Sequence, residues 1–441
     1  MPAECPRRTT RRTPVTAAPP LARRGAGPGI ALLAATGLLA GCAGGAGGTA
    51  DQESAEPGAG FAFGAAQSEV DAALAELDPV TITYQPSATS AESILGPNGT
   101  DIAEAIETRS GGKITVDVVW GQAIASYAEI DDALADGRVD LAYTLPSYAP
   151  TEYPAFDAIG TAMSTLSSSP VAGDLTTNAA GVQAGWDTPE VLAEFADKDL
   201  VPLIPLLASG GYSTMCSEPL TGRGDWQGTQ MRIGSAAAGE QVTELGASPV
   251  SLSFPETYEA LQRGTVDCDL GQLAPNVEAG TFEVAPHIGY TTEAGFSRAA
   301  GAYVAGQTYS ELPLAYQQVI FDSMATAFST MTELVIGAKA MAVEQALAAG
   351  GSVRPFDADV QSAIAEHADE LSTRTAEDAG VPEVPARLDE AAQAWAEQVE
   401  ELGHTDGGEF VRMPEWYPED ASYDDLGAVL FEQTMLPHRP H

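Results

Sequence analysis

The stretch that decides the fold is Glu256-Thr257-Tyr258-Glu259-Ala260-Leu261-Gln262-Arg263-Gly264-Thr265-Val266-Asp267. Tyr258, Leu261 and Gln262 are spaced three and four residues apart, so they share one face of a helix. Gly264 is suited to end that helix, because a residue at positive φ is commonly needed there. Val266 and Asp267 then begin a strand. This stretch therefore predicts a helix, a turn and a strand.

The same alternation extends in both directions along the chain. Strands are predicted at 80–84, 113–120, 139–145, 201–207, 212–216, 230–233 and 266–270, with helices at 101–109, 126–135, 236–245 and 256–263. Strands that alternate with helices of this length indicate crossover units and mostly parallel sheets. The two series predict two α/β lobes, with folding beginning near residue 80. Further helices are predicted at 314–349, in one or two pieces, at 360–378 and at 389–402.

Several short motifs, taken in order, carry a family resemblance. They are Gly112-Lys113-Ile114-Thr115-Val116, Gly137-Arg138-Val139-Asp140-Leu141-Ala142, Trp226-Gln227-Gly228, Met231-Arg232-Ile233 and the stretch quoted above. Their order and spacing resemble the extracytoplasmic solute-binding proteins of tripartite ATP-independent periplasmic (TRAP) transporters, close to the dicarboxylate-binding members. The resemblance implies a two-lobed, periplasmic-binding-protein-like (type II) α/β fold, with long helices that buttress both lobes and a ligand cleft between them.

These expectations divide the chain into five parts. We expect a lipoprotein signal peptide at 1–42, a flexible linker at 43–78, lobe 1 at 79–209 and 298–338, lobe 2 at 210–297 and 339–380, and a C-terminal helix with an acidic tail at 381–441.

The first part follows the plan of a bacterial export signal. An arginine-rich start precedes an apolar run at 30–40, which is too short to span a bilayer. Leu39-Ala40-Gly41-Cys42 matches the lipobox, in which the Cys42 thiol accepts the lipid. An ordinary cleavable signal is the alternative. The motif predicts a protein anchored by lipid to the outer face of the cell membrane.

Two cysteines remain for the folded part, Cys216 and Cys268. Outside the cytoplasm they are expected to form a disulfide, with two unpaired buried thiols as the alternative. The five histidines show no metal-ligand spacing with either cysteine, so no metal site is predicted.

The charge excludes one class of partner. The formal net charge of −42 comes from 62 acidic and 20 basic residues. Nucleic-acid binding needs clustered lysine and arginine, and no basic stripe follows residue 42. The spread of acidic residues indicates a solvated surface.

Arg232 is the first candidate for ligand binding. The resemblance implies that an arginine at this position clamps a ligand carboxylate, and a guanidinium offers two parallel hydrogen bonds for that task. The alternative is a structural ion pair with a carboxylate of the same lobe. The ligand is expected to be a small organic acid that is passed to the membrane subunits of a TRAP transporter.

Other candidates follow from the resemblance and from strand ends. Relatives carry Asp-Gly-x-Glu-Asn-Pro where this chain has Asp267-Cys268-Asp269-Leu270-Gly271-Gln272, so Gly271 replaces an asparagine that commonly touches ligand. Tyr212 stands where many relatives place another arginine. These departures favour a monocarboxylate, or a hydroxylated or aromatic acid, over a dicarboxylate. The full set of expected ligand residues adds Phe254, Asp269 and Gln272 in lobe 2 and Gln85, Gln122, Ser147 and Tyr148 in lobe 1.

An enzyme is the least favoured class. The sequence has no nucleophile elbow, no histidine-based triad spacing and no Walker loop, so no catalytic residue and no cofactor are predicted. A binding lipoprotein that senses ligand for a membrane receptor would use the same cleft and is the remaining alternative to transport.

Overall fold

The computed structural model describes residues 59–208 and 210–441. The predicted signal peptide and Cys42 lie outside the described residues. The strands are β1 (Val80–Gln85), β2 (Ile114–Val118), β3 (Leu141–Thr144), β4 (Val201–Leu207), β5 (Ser213–Cys216), β6 (Gln230–Ile233), β7 (Ser248–Ser251), β8 (Cys268–Gly271), β9 (His287–Tyr290), β10 (Gly301–Ala305) and β11 (Ser352–Pro355).

Helices cover both sheets. They are α1 (Gln67–Leu74), α2 (Pro97–Arg109), α3 (Ile130–Ala135), α4 (Pro154–Ala162), α5 (Ala172–Asp187), α6 (Pro189–Ala196), α7 (Ala236–Leu245), α8 (Thr257–Gln262), α9 (Leu273–Glu278), α10 (Gln307–Glu311), α11 (Leu314–Asp322), α12 (Met324–Ala348), α13 (Ala358–Asp378), α14 (Val384–Glu401), α15 (Met413–Trp416) and α16 (Asp424–Leu430).

The strands form two sheets, and each sheet is the centre of one lobe. The first has the order β2-β1-β3-β10-β4 and the second the order β11-β9-β5-β8-β6-β7. The chain passes between them after β4, after β9 and after α12. The predicted two-lobed α/β fold is therefore confirmed, and α12 is a long helix shared by both lobes.

The expectation of mostly parallel sheets was wrong in part. β10 runs antiparallel to β3 and β4, and β5 runs antiparallel to β8 and β9. β5 and β10 each follow a passage between the lobes that contains no helix, so no crossover returns the chain to the same end of the sheet and each pairs in the opposite direction.

The register of the second sheet brings distant residues together. Arg232 on β6 lies opposite Asp269 on β8, in a parallel pair. Cys216 on β5 lies opposite Cys268 on β8, and the two cysteines form the predicted disulfide. The disulfide therefore joins two central strands one residue away from Asp269.

The folded part of the chain starts at an earlier residue than the sequence analysis predicted. α1 starts at Gln67, within the expected linker, and its Val70 and Leu74 are buried. The backbone N–H of Phe61 donates to Gln318 Oε1 (2.7 Å), and the Phe61 carbonyl accepts from Arg439 Nη1 (2.9 Å). Residues from 61 onward are thus part of the folded body, because α11 and the C-terminal segment supply partners that the local sequence does not reveal.

The C-terminal part is also more ordered than a tail. After α14, the chain forms α15 and α16, and the side chains of Leu426, Leu430 and Phe431 are buried.

Together α11 and α12 span Leu314–Ala348, which is long and apolar enough to cross a membrane, but 72% of its most apolar window is buried inside the protein. It is a core helix pair in this fold.

Candidate functional site

Arg232 lies near the centre of the second sheet, and its guanidinium is almost enclosed. The side chain is 4% exposed. Its Nε donates to the carbonyl of Leu252 (3.0 Å), and its Nη1 donates to Asp269 Oδ1 (3.3 Å). The ion pair that was the structural alternative for Arg232 is therefore present. The ion pair with Asp269 uses one edge of the Arg232 guanidinium, which has five N–H donors in all.

The carboxylate of Asp269 is held on its other side as well. Asp269 is fully buried, and its Oδ2 accepts a hydrogen bond from Asn276 Nδ2 (2.8 Å). The Asn276 amide is oriented in turn, because its Oδ1 accepts from the hydroxyl of Thr281 (2.5 Å). Asp269 is thus fixed at the base of the site by partners from β6 and α9.

Burial sets the charge states of this pair. Desolvation raises the pKa of Asp269, although Arg232 and Asn276 oppose the shift. Burial also lowers the pKa of Arg232, but Asp269 and the nearby Tyr148 and Tyr212 outweigh it, so the net direction is upward. The guanidinium therefore stays charged, and each member of the pair depends on the other.

Three aromatic residues surround the guanidinium. Tyr148 comes from lobe 1, is 40% exposed, and lies beside Arg232, whose pKa it raises. The Phe254 ring centroid is 5.9 Å from Arg232 Cζ. Tyr212 Oη accepts from the backbone N–H of Ala299 (2.9 Å). The contact between Tyr148 and Arg232 places the guanidinium at the boundary between the lobes.

A second contact closes the same boundary. The Thr89 hydroxyl, after β1, donates to Glu278 Oε1 at the end of α9. In these two contacts between the lobes, Tyr148 follows β3, Thr89 follows β1, and Glu278 ends the helix that follows β8. Strand ends are where open α/β sheets bind ligands.

Two of the four lobe 1 candidates are engaged by their own lobe or by the segment between the lobes. Gln85 Oε1 accepts from the N–H groups of Ile124 (3.1 Å) and Ala125 (3.2 Å), and its Nε2 donates to the Ala125 carbonyl. The Ser147 hydroxyl donates to the carbonyl of Ala300 (2.8 Å). These two side chains hold loops in place, so Tyr148 is the lobe 1 candidate with a free surface.

Gln122 has an unusual backbone. Its φ is 57°, in the left-handed region that non-glycine residues rarely adopt. Its Oε1 accepts from the N–H of Tyr127 (3.2 Å), and the ring of Tyr127 stands edge-on to Tyr148 at 6.2 Å. Gln122 therefore supports the tyrosine pair at the rim rather than reaching Arg232.

Gly271 has a structural reason to be a glycine. A Cβ at this position would lie 3.0 Å from Asp269 Oδ2, which is closer than side chains ordinarily pack. Residues two apart on a strand point to the same face, so Gly271 makes room for the Asp269 carboxylate. The neighbouring Gln272 is the N-cap residue of α9, and its carbonyl accepts a hydrogen bond from Asn276 Nδ2 (2.8 Å).

Comparisons with known proteins identify the family. The family model of the bacterial extracellular solute-binding proteins, family 7, matches residues 87–378. The chain belongs to this family. The TRAP resemblance predicted from the sequence motifs is therefore confirmed, and members of the family are binding proteins of transporters rather than enzymes.

Two curated relatives match part of the chain. A solute-binding protein of Roseobacter denitrificans is 25% identical over 192 residues, which is 43% of this chain and 55% of that protein. The ectoine-binding periplasmic protein TeaA of Halomonas elongata is 26% identical over 153 residues, covering 34% of this chain and 44% of that protein. The chain thus spans about half the length of the curated relatives that it matches.

Solved structures share the whole fold. A marine metagenome TRAP solute-binding protein specific for aromatic acids, in complex with 3-hydroxybenzoate, superimposes with a TM-score of 0.62 at 19% identity. The match covers 73% of this chain and 99% of that chain. The described residues therefore contain nearly the whole two-lobed fold of that structure, and this chain also has residues that the match does not cover.

Sequence reasoning missed a buried charged cluster between the lobes. Asp174 on α5 faces Arg298 Nη2 (3.6 Å) and Lys339 Nζ, and it also accepts from the N–H of Gly211 (3.2 Å). All three charged side chains are at least nine-tenths buried. The signal was available for Lys339, which is an isolated charge inside an apolar helix.

A cavity of about 390 Å³ borders this cluster. Its walls include Lys339, Gly211, Tyr212 and, from the C-terminal part, Phe410. Tyr212 is the one predicted ligand residue among its lining residues. The cavity therefore lies beside the Arg232 site, and Tyr212 stands between them.

Among the described residues, no group of three or more histidine, cysteine, aspartate or glutamate side chains is arranged to hold a metal ion.

Proposed function

We propose that this protein is a lipid-anchored, extracytoplasmic solute-binding protein that captures a small organic acid with one carboxylate and delivers it to the membrane subunits of a TRAP transporter. In this proposal Arg232 binds the ligand carboxylate, and Cys42 carries the lipid. The observation that carries it is that Arg232, an almost enclosed guanidinium of lobe 2, lies beside Tyr148 of lobe 1. A charged group at that boundary couples ligand binding to lobe closure.

The residues around Arg232 favour one carboxylate over two. Arg232 is the cation that pairs with Asp269, and Tyr212 and Gly271 add no positive charge. Aromatic side chains supply much of the remaining surface. The solved relative with 3-hydroxybenzoate binds a ligand of this type, which supports an aromatic or ring-containing acid here.

Binding is tested with purified mature protein and a panel of carboxylic acids in isothermal titration calorimetry. We expect at least one monocarboxylate to bind, and the Arg232→Lys variant to bind it at least about tenfold more weakly, since lysine keeps the charge opposite Asp269 but loses the planar fork. Arg223→Ala is the matched control, because Arg223 is an exposed arginine of the same lobe that pairs with Glu244.

The proposal fails if no organic acid binds, or if Arg232→Lys binds as tightly as the native protein. Anchoring is tested separately by labelled fatty-acid incorporation in cells. We expect label in the native protein and none in Cys42→Ala, and label in neither would remove the lipid anchor from the proposal.

A further inference from the structure

The guanidinium proposed to bind the ligand already has a carboxylate partner. Asp269 is fully buried and 3.3 Å from Arg232 Nη1, so the two together carry no net charge. A buried ligand with only a carboxylate would add one uncompensated negative charge beside this pair. Such a charge is costly in a site of low dielectric constant.

The structure keeps Asp269 in this place with three separate features. Asn276 donates to Oδ2, Thr281 orients the Asn276 amide, and Gly271 lacks the Cβ that would crowd Oδ2 at 3.0 Å. Gly271 and Asp269 therefore belong together. Gly271, where this strand end departs from the family pattern, provides the room that the Asp269 carboxylate occupies.

The surroundings of Arg232 also suit a positive group. Phe254 presents its ring to the guanidinium, and aromatic faces attract cations. Gly234 leaves space between two polar groups, since a Cβ there would lie 3.5 Å from Tyr212 Oη and 3.7 Å from Arg232 Nη1.

We propose that Asp269 is a specificity-determining residue that selects a zwitterionic ligand, one with a carboxylate for Arg232 and its own ammonium or iminium group. Asp269 acts through its charge on the ligand's positive group and through its hold on Arg232. It favours ligands with no net charge and disfavours simple anions. This inference rests on the proposed function, because it assumes that the ligand carboxylate meets Arg232.

The test compares pairs of carboxylic acids in which one member lacks a positively charged nitrogen and the other carries one. The pairs are acetate with glycine, cyclopentanecarboxylate with proline, cyclohexanecarboxylate with piperidine-2-carboxylate, and 3-phenylpropanoate with phenylalanine. Affinities are measured by calorimetry on the native protein. In the pair that fits the cleft, we expect the zwitterion to bind about tenfold more tightly than the anion.

The Asp269→Asn variant should reverse that order, because it removes the negative charge while keeping the size and a hydrogen-bonding oxygen for Arg232. A purely structural role would weaken both ligands together and leave their ratio unchanged. Thermal melting of the variant confirms that it is folded, and the preference of the native protein tests the inference even if the variant does not fold.

The outcomes separate the two proposals. If the native protein binds the anion of the fitting pair as tightly as the zwitterion, or binds only anions such as 3-hydroxybenzoate, the zwitterion inference is wrong while the proposed function stands. If no acid and no zwitterion binds, both are wrong.

Discussion

Removing the Arg232 side chain should destabilise the protein, and the loss should depend on pH. Arg232→Ala leaves Asp269, which is fully buried, with Asn276 as its remaining side-chain partner at 2.8 Å. Breaking a buried ion pair by removing one partner costs about 3–5 kcal/mol, because the other charge stays buried without compensation. Since Asn276 still donates to Oδ2, we expect a loss of about 3 kcal/mol in the free energy of unfolding near neutral pH.

The sign of the pH dependence follows from Asp269. Burial raises its pKa in the native protein, and Arg232 opposes that shift. Without Arg232 the native pKa rises further above the ordinary value of about 4. Between those two values the folded variant binds more protons than the unfolded chain, so its stability falls as pH rises through this window. The deficit relative to the native protein should therefore be smaller at pH 5 than at pH 8.

The assay is urea denaturation at both pH values, with Arg232→Ala, Arg232→Ala/Asp269→Asn and the native protein compared. The second substitution removes the unpaired charge and should recover about 2 kcal/mol at pH 8. A deficit below about 1 kcal/mol that is the same at both pH values would refute the reasoning, since it would mean that Asp269 does not depend on Arg232.

Three further predictions concern features around the site. Cys216→Ala/Cys268→Ala opens a loop with a sequence separation of 52 residues and should lower the free energy of unfolding by about 4 kcal/mol in the chain-entropy model. Urea denaturation of the native protein and the double variant measures this loss, and equal denaturation midpoints would contradict it. Gly271→Ala places a methyl group 3.0 Å from Asp269 Oδ2 and should cost about 1–3 kcal/mol, whereas an unchanged melting temperature would show that the carboxylate has room to move. Burial raises the pKa of Glu194 to about 7, although its carboxylate accepts hydrogen bonds from the N–H groups of Ala155 (2.6 Å) and Phe156 (3.1 Å). Between about pH 4.5 and 7 the native state therefore keeps a proton on Glu194 that the unfolded chain has released. The free energy of unfolding falls as pH rises through that window. Glu194→Gln should reduce the difference in melting temperature between pH 5 and pH 8, the same change at the exposed Glu397 should not, and equal effects of the two variants would contradict the assignment.

Much of the fold was predictable where side chains alternate between a core face and solvent, or where a short apolar run is bounded by polar residues. The predicted limits of β4, β6 and α7 match the structure to the residue. The three helices α4, α5 and α6 were not predicted. α5 is buried along nearly its whole length and includes Thr176, Thr177 and Asn178 in its interior, so it has no polar face to reveal a helical period.

The site divides in the same way. Local motifs were sufficient to select Arg232 and the strand that carries Asp269, because the family pattern places them at fixed positions along the chain. Motifs did not reveal that Gln85 and Ser147 would be taken up by neighbouring loops, since those partners lie 39–40 and 153 residues away.

By itself, the amino-acid sequence determined that two α/β lobes form, which family they belong to, and that Cys216 and Cys268 are placed to pair. These depend on periodicity, spacing and composition, which are local properties. The pairing of Arg232 with Asp269, the room that Gly271 leaves for that carboxylate, and the meeting of Arg232 with Tyr148 were decided by the tertiary structure. Each requires a strand register or a closed pair of lobes, and the charge that a ligand meets is set by those long-range contacts.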